Sequence, residues 1–222
     1  RRSELEVEHL SSNSHRTAVA EIGARDPDLA AVVERFGPPP LWARRPGFAT
    51  LVRIILEQQV SLSSAAAAYG RLQVVTARVT PSRVASLSEK RLRAAGLTRQ
   101  KAAYCRGLAA AIVAGGLDLS RLGQLPDDEV RSMLLEVPGI GPWTADIYLL
   151  MALRRPDVWP SGDLALARAL QRVKRLRKVP NDHRMSGIAR AWTPWRAVAA
   201  RLLWHFYIQS RTRTPRHAPE RG

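Results

Sequence analysis

The stretch Val137-Pro138-Gly139-Ile140-Gly141-Pro142-Trp143-Thr144-Ala145-Asp146 constrains this chain more than any other. Met133, Leu134 and Leu135 end one apolar helical pattern and Pro138 stops it. Pro142 falls where a proline suits the first turn of a following helix. Gly139 and Gly141 bracket the turn between the two. Without a β-carbon they permit positive φ and close approach of another backbone, and the unpaired N–H groups opening the second helix attract an anion. Two readings stay open from these residues alone: a tight connection between helices, or a hairpin that presents amides to a phosphate.

Charge favours the second. The 222 residues hold 35 Lys+Arg against 19 Asp+Glu, a formal net charge of +16, and such an excess suits a polyanion whose condensed counterions are released on binding. A single basic run, such as Arg172 to Lys178, also reads as a solvated helix face. Hydrophobic residues at 45% supply the core of one compact domain or of two lobes. The first twenty residues are polar and lack an apolar signal core. No apolar run approaches the roughly 20 residues that span a bilayer, so a soluble cytoplasmic, nucleoid-associated protein is expected, with no membrane partner. The single cysteine, Cys105, excludes an internal disulfide, a multi-cysteine zinc site and a four-cysteine iron–sulfur cluster. In its alanine-rich segment it reads as a buried, inert thiol.

Helix punctuation recurs along the chain. Asp26-Pro27 opens a helix that Gly37 and Pro38-Pro39-Pro40 close, Phe48 to Gln59 is apolar at helical spacing, and Ser61 can cap the helix after it. Thr80-Pro81 and Ser88-Glu89 open two short helices, and Thr98 caps a longer one that runs to Gly115-Gly116. Leu125-Pro126 and Thr193-Pro194 read as further cap-plus-proline starts. Gln73 to Val79 is the only plausible strand, and its β-branched residues read better as a helix end. An all-α protein is expected. Residues 1–20 read as a partly disordered extension, and 211–222 as a basic tail that is either disordered or attracted to phosphate.

Four segments in order carry a resemblance: Ile54-Ile55-Leu56-Glu57-Gln58-Gln59-Val60-Ser61, Gly96-Leu97-Thr98-Arg99-Gln100-Lys101, the hairpin with the following Arg154-Arg155-Pro156-Asp157-Val158-Trp159-Pro160-Ser161-Gly162-Asp163, and Trp192-Thr193-Pro194-Trp195-Arg196. Over residues 26–210 the chain resembles the helix-hairpin-helix superfamily of DNA glycosylases, most closely its alkylation-repair branch, the 3-methyladenine DNA glycosylase II group. The resemblance implies two helical lobes, a middle one over about 49–125 and another from 21–48 plus 126–210, with a DNA-binding cleft between them. It implies double-stranded DNA with damaged bases as partner, a monomer, and no organic cofactor or catalytic metal. A monovalent cation on the hairpin carbonyls is compatible with it.

The family's catalytic aspartate stands just before the helix that follows the hairpin, which is the place of Asp163. A carboxylate there stabilises positive charge at the sugar C1′ as the N-glycosidic bond breaks, or orients the attacking water. Spacing alone also allows Asp163 to be a plain helix cap, and Asp146 and Asp157 are weaker candidates. Members that also cut the backbone carry a nucleophilic lysine shortly after the hairpin glycines. That position is Trp143, and neither Lys101 nor Lys174 falls there, so a monofunctional hydrolase is expected. Of the six tryptophans, Trp159, Trp192 and Trp195 read as core. Trp143 and Trp204 match aromatic positions of the family's base pocket, where ring faces attract cationic alkylpurines. Tyr148 stands one residue beyond a tyrosine position that is Ile147 here, and Trp42 suits either a pocket wall or the core. Filling the hole left by an extruded base is assigned to Gln59, and a minor-groove hydrogen bond to Gln58. Two surface amides at a helix end are the alternative. Gly139, Gly141, Thr144 and Ser61 complete the expected DNA contacts. The implied activity is excision of alkylated purines such as 3-methyladenine and 7-methylguanine. A glycosylase for hypoxanthine or uracil, and a non-catalytic binder, remain as alternatives.

Overall fold

The computed structural model describes residues 9–212, and these form helices and turns without a strand. The order is α1 (Ser12–Arg25), α2 (Pro27–Phe36), α3 (Phe48–Glu57), α4 (Leu62–Thr76), α5 (Pro81–Ser86), α6 (Glu89–Ala94), α7 (Arg99–Val113), α8 (Asp127–Leu135), α9 (Pro142–Ile147), α10 (Leu164–Val173), α11 (Asp182–Ala189) and α12 (Arg196–Thr212). A π-helical turn, Tyr148–Ala152, prolongs α9. Most of the expected caps are present: Asp26, Ser61, Thr80, Ser88 and Thr98 each accept a first-turn backbone N–H, which satisfies donors that a helix start leaves unpaired. Residues 73–76 end α4 as a helix.

Within the N-terminal stretch, Ser11 and Ser14 form a reciprocal capping box that starts α1, and α1 buries His15, Ala18, Val19 and Ile22. Residues 1–8 and, beyond Thr212, the basic tail lie outside the described residues. At Leu125-Pro126 no side chain caps α8. Its N-terminus is met instead by Asp127, Asp128 and Glu129 in the first turn, where negative charge offsets the helix dipole. At Thr193-Pro194 the peptide bond is cis and the helix starts later, at Arg196, whose N–H donates to Asp157 Oδ1 at 3.2 Å.

The chain divides into two compact units, Trp42–Arg155 and Leu10–Leu41 with the segment from Pro156 onward. The hairpin segment 126–155, expected with the terminal lobe, belongs to the first unit, where α8 packs on α9 and α9 on α3. Arg155 secures that unit's end. Fully buried, it donates to the carbonyls of Gly123 at 3.2 Å and Leu125 at 2.7 Å and pairs with Asp127 at 3.0 Å. Within this unit α3 buries Leu51, Val52, Ile54, Ile55 and Leu56, while α7 packs against α3, α5 and α6.

In the second unit α12 is central, with every residue from Ala197 to His205 buried and with α1, α2 and α10 packed on it. Arg201 lies in this helix and donates to Leu41 O at 2.8 Å and Ala197 O at 3.0 Å. Burial, and then the Arg201 charge, pull the His15 imidazole down to about 4. A buried histidine that stays neutral in the fold but protonates near 6.5 when unfolded favours the unfolded state as pH falls. Stability should therefore drop between pH 6.5 and about 4, by an amount on the order of 2–3 kcal/mol. Urea unfolding followed across that window should show the loss, and His15→Leu should flatten it. An equally steep loss in the variant would remove His15 as its source.

Candidate active site

The first unit gathers the hairpin and the loop after α3 into one hydrogen-bonded group. Gln58 ends α3, and its amide Nε2 donates to Gly139 O and to Thr144 Oγ1, both at 2.9 Å. Lys101 Nζ, on α7, donates to the carbonyls of Leu56 at 2.7 Å and Gln58 at 2.8 Å, satisfying acceptors that a helix C-terminus leaves open. Burial lowers the pKa of this ammonium, and Cys105 partly counters the shift. Between these fixed points Gln59 takes φ 56, in the left-handed region, and is exposed. Exposed Val60 and Leu62 flank it. Ser61 caps α4 through the Ser64 N–H at 3.1 Å.

Gln58, expected to reach a minor groove, spends both amide hydrogens on the hairpin. It is a brace. Thr144 is correspondingly buried, with its hydroxyl turned to Gln58. Gly139 has φ 91, and a β-carbon there would overlap the Tyr104 ring, whereas one on Gly141 meets nothing. The two glycines thus have different reasons to be glycine. Gly139 is needed by the fold, while Gly141, with φ −93 at the start of α9, is not. Trp143 and Trp42 are both half-buried, Trp42 with φ 47.

Tyr148 does not line a pocket. It is fully buried, and its hydroxyl accepts from the Gly47 N–H at 2.9 Å, because the π-helical turn faces the unit's interior. Asp146 is likewise structural, 2% exposed and held by Arg131 Nη2 at 2.9 Å. Burial pushes the Cys105 thiol up to about 12, so it stays protonated and unreactive.

In the second unit Asp163 caps α10, its Oδ1 accepting the Leu166 N–H at 2.8 Å. The indole Nε1 of Trp204 donates to the same oxygen at 3.3 Å. Both side chains are nearly buried, at 9% exposed each. Asp163 is therefore a cap and, in addition, a carboxylate held by two donors on one oxygen. Asp157, by contrast, is engaged by Arg196 at 2.8 and 2.9 Å. Lys174 is held by Asp26 and Asp28. Trp192 and Trp195 donate to Asp26 and Glu21, each at 2.7 Å, and Trp159 packs on Trp192 with ring centroids 5.6 Å apart.

Residues 52–194 match the family described as HhH-GPD superfamily base excision DNA repair proteins. The chain belongs to the HhH-GPD superfamily. It is 25% identical over 180 residues to DNA-3-methyladenine glycosylase 1 of Schizosaccharomyces pombe, covering 79% of each chain. It is 29% identical over 184 residues to the Bacillus subtilis protein YfjP, covering 79% of this chain and 64% of YfjP, so it spans under two thirds of that relative. The structure of a DNA-3-methyladenine glycosidase from Bacillus halodurans superposes with a TM-score of 0.73 at 28% identity, over 88% of this chain and 91% of that one.

The HhH-GPD match takes in the loop after α3, the hairpin and Asp163, and it leaves out Trp42 and Trp204. Two features of this HhH-GPD chain were invisible to sequence reasoning. One is the Trp204 indole directed at the carboxylate, since a helical tryptophan gives no sign of which edge it turns where. The other is Leu164, 73% exposed beside Asp163, an apolar residue that a helical pattern would count as core. The glycine contrast gives a direct check. Gly139→Ala should cost on the order of 1–3 kcal/mol, from overpacking and positive φ together. Gly141→Ala should change stability by no more than about 1 kcal/mol. Denaturant melts of the two variants decide it, and equal losses would contradict the distinction.

Proposed function

We propose that this chain is a monofunctional DNA glycosylase that hydrolyses the N-glycosidic bond of N-alkylated purines, 3-methyladenine and 7-methylguanine among them, in double-stranded DNA. The observation that carries the reading is the buried Asp163 carboxylate, held by the Leu166 N–H and the Trp204 indole, at the position that the sequence resemblance assigns to the catalytic aspartate. The names of the S. pombe and B. halodurans relatives support the substrate class.

In this reaction the C1′–N bond breaks with its electron pair leaving on the purine. N-alkylation makes that purine cationic, so it departs neutral and needs little help from an acid. Positive charge builds at C1′. A carboxylate already held by two donors stabilises that charge with little reorganisation at the moment of reaction. Water then adds to C1′ and loses a proton, leaving an abasic sugar with the strand intact. Trp143 stands in the place of the nucleophilic lysine. Lys101 and Lys174 are committed to two carbonyls and two carboxylates respectively, so neither offers its amine for a Schiff base. At the hairpin, Gly141 leaves the start of α9 open to a phosphodiester, and exposed Gln59 is the residue that enters the duplex when the base leaves the stack. Half-buried Trp143 and Trp42 are the aromatic faces available to a cationic base.

Asp163→Asn is the decisive variant, because asparagine is as good a cap as aspartate while removing the charge. Single-turnover excision from methylated duplex should fall by about 10²–10³-fold with melting nearly unchanged. Excision at the wild-type rate would end the assignment. Trp204→Phe keeps an aromatic face and deletes the N–H, together with part of the indole's volume. It should slow excision of 7-methylguanine and of neutral hypoxanthine alike, by roughly tenfold, the equivalent of one hydrogen bond to a charged group. A loss confined to the cationic base would make Trp204 a stacking face instead.

A further inference from the structure

Helix α10, the segment after it and the start of α11 carry a concentration of positive charge. Arg168, Arg172, Arg175, Arg177, Lys178 and Arg184 are all at least partly exposed. Between Leu164 and Arg184 the sequence offers one carboxylate, Asp182. Arg172 has a neutral environment, donating to Ser210 Oγ at 3.1 Å and lying 5.1 Å over the Phe206 ring. Among the described residues no carboxylate pairs with Arg175, Arg177 or Lys178. Like charges crowded on one short loop repel one another, a cost that a merely solvated face avoids by mixing signs.

The loop is also held at both ends. Lys174, before the exposed cations, is clamped by Asp26 at 2.6 Å and Asp28 at 2.9 Å. Beyond them, Asp182 Oδ1 accepts the Gly162 N–H at 3.0 Å, and Gly162, with φ 73, immediately precedes Asp163. The one acidic residue of the region is thus spent on fastening the basic loop to the backbone that carries the reactive carboxylate. Duplex DNA presents one phosphate charge per roughly 1.7 Å of its axis, so a fixed row of cations beside the base-excising carboxylate meets several of them.

We propose that the loop from Lys174 to Asn181, with Arg184 on the following helix, is a phosphodiester-binding surface that grips duplex DNA beside the Asp163 site. The proposal rests on the reading of the chain as a DNA-acting enzyme. It is tested on an undamaged duplex, where binding is independent of which lesion, if any, is excised; excision by the wild type is measured separately.

The test compares the full chain with two triple variants that remove the same charge. One is Arg175→Ala/Arg177→Ala/Lys178→Ala. The other, a control on α6, is Lys90→Ala/Arg91→Ala/Arg93→Ala, also at the surface. The dissociation constant for the duplex is measured over a salt series. For the loop variant the slope of log K against log salt should become shallower by up to about 2.7, roughly 0.9 for each phosphate no longer neutralised, with affinity at least about tenfold weaker at low salt. Its melting temperature should hold or rise as repulsion is relieved. The control should lose less than a third of that slope. Equal losses in the two triples would reduce the effect to net charge, and no loss in the loop variant would leave a solvated face; either result overturns the proposal. If the loop triple fails to fold, Arg177→Gln and Lys178→Gln, each made singly, carry the same test at roughly 0.9 in slope apiece.

Discussion

The second unit hangs on one buried carboxylate. Asp26 accepts from Lys174 Nζ at 2.6 and 2.7 Å, from the Trp192 indole at 2.7 Å and from the backbone N–H groups of Asp28 and Leu29. Burial by itself would raise its pKa, and the hydrogen bonds from Lys174, Trp192 and Leu29 outweigh that and hold it below the usual value. A buried charge is tolerated only when it is paired and its lone pairs are filled, and removing one partner of such a pair typically costs ~3–5 kcal/mol. Through Asp26 the start of α2, the end of α10 and the turn before α12 are fastened at one point. Asp163 opens the helix that Lys174 closes, so the position of the carboxylate proposed to be catalytic is set at the far end of α10 as well as at its own.

In the proposed mechanism one side chain, Asp163, serves fold and chemistry together. The Leu166 N–H would otherwise be an unsatisfied donor in the first turn of α10, and capping it contributes about 1 kcal/mol. The same bond restricts the carboxylate to one orientation, which the Trp204 indole reinforces. Transition-state stabilisation needs that restriction, because a dipole or charge that must turn toward its target returns part of the gain as reorganisation. The hairpin follows a similar logic. Gln58 and Lys101 fill acceptors that a helix end and a glycine turn leave open, and in doing so they make the loop of Gln59 and the turn of Gly139 a single rigid element of the first unit.

Much of this was legible in the sequence, for reasons that are local. Caps such as Ser61 and Thr98 and the proline at the start of α9 act within four residues of themselves, and the structure keeps them. The readings that changed depend on partners far along the chain. Gln58 looks like a surface amide until Gly139 and Thr144, more than eighty positions away, are found beneath it. Tyr148 looks like a pocket residue because it stands one position from the tyrosine of the resembled family, whereas its hydroxyl is taken by the Gly47 N–H, 101 positions away. Asp157 and Asp146 announce a carboxylate but not the Arg196 and Arg131 that neutralise them. Asp163 was placed by a family resemblance and by its cap position, whereas its second donor, Trp204, is 41 residues further on.

In the proposed mechanism a fixed negative charge at Asp163 answers a positive charge developing at the sugar. Binding to a stable mimic of that state tests it without any turnover. Two duplexes are compared, identical except that one carries a cationic pyrrolidine ring in place of the sugar at the abasic position and the other a neutral tetrahydrofuran ring. The account predicts that the wild-type protein prefers the cationic ring by about 10²-fold or more, and that Asp163→Asn abolishes most of that preference while binding the neutral duplex as before. Equal affinity of the wild type for the two rings, or a preference that survives in Asp163→Asn, would contradict it.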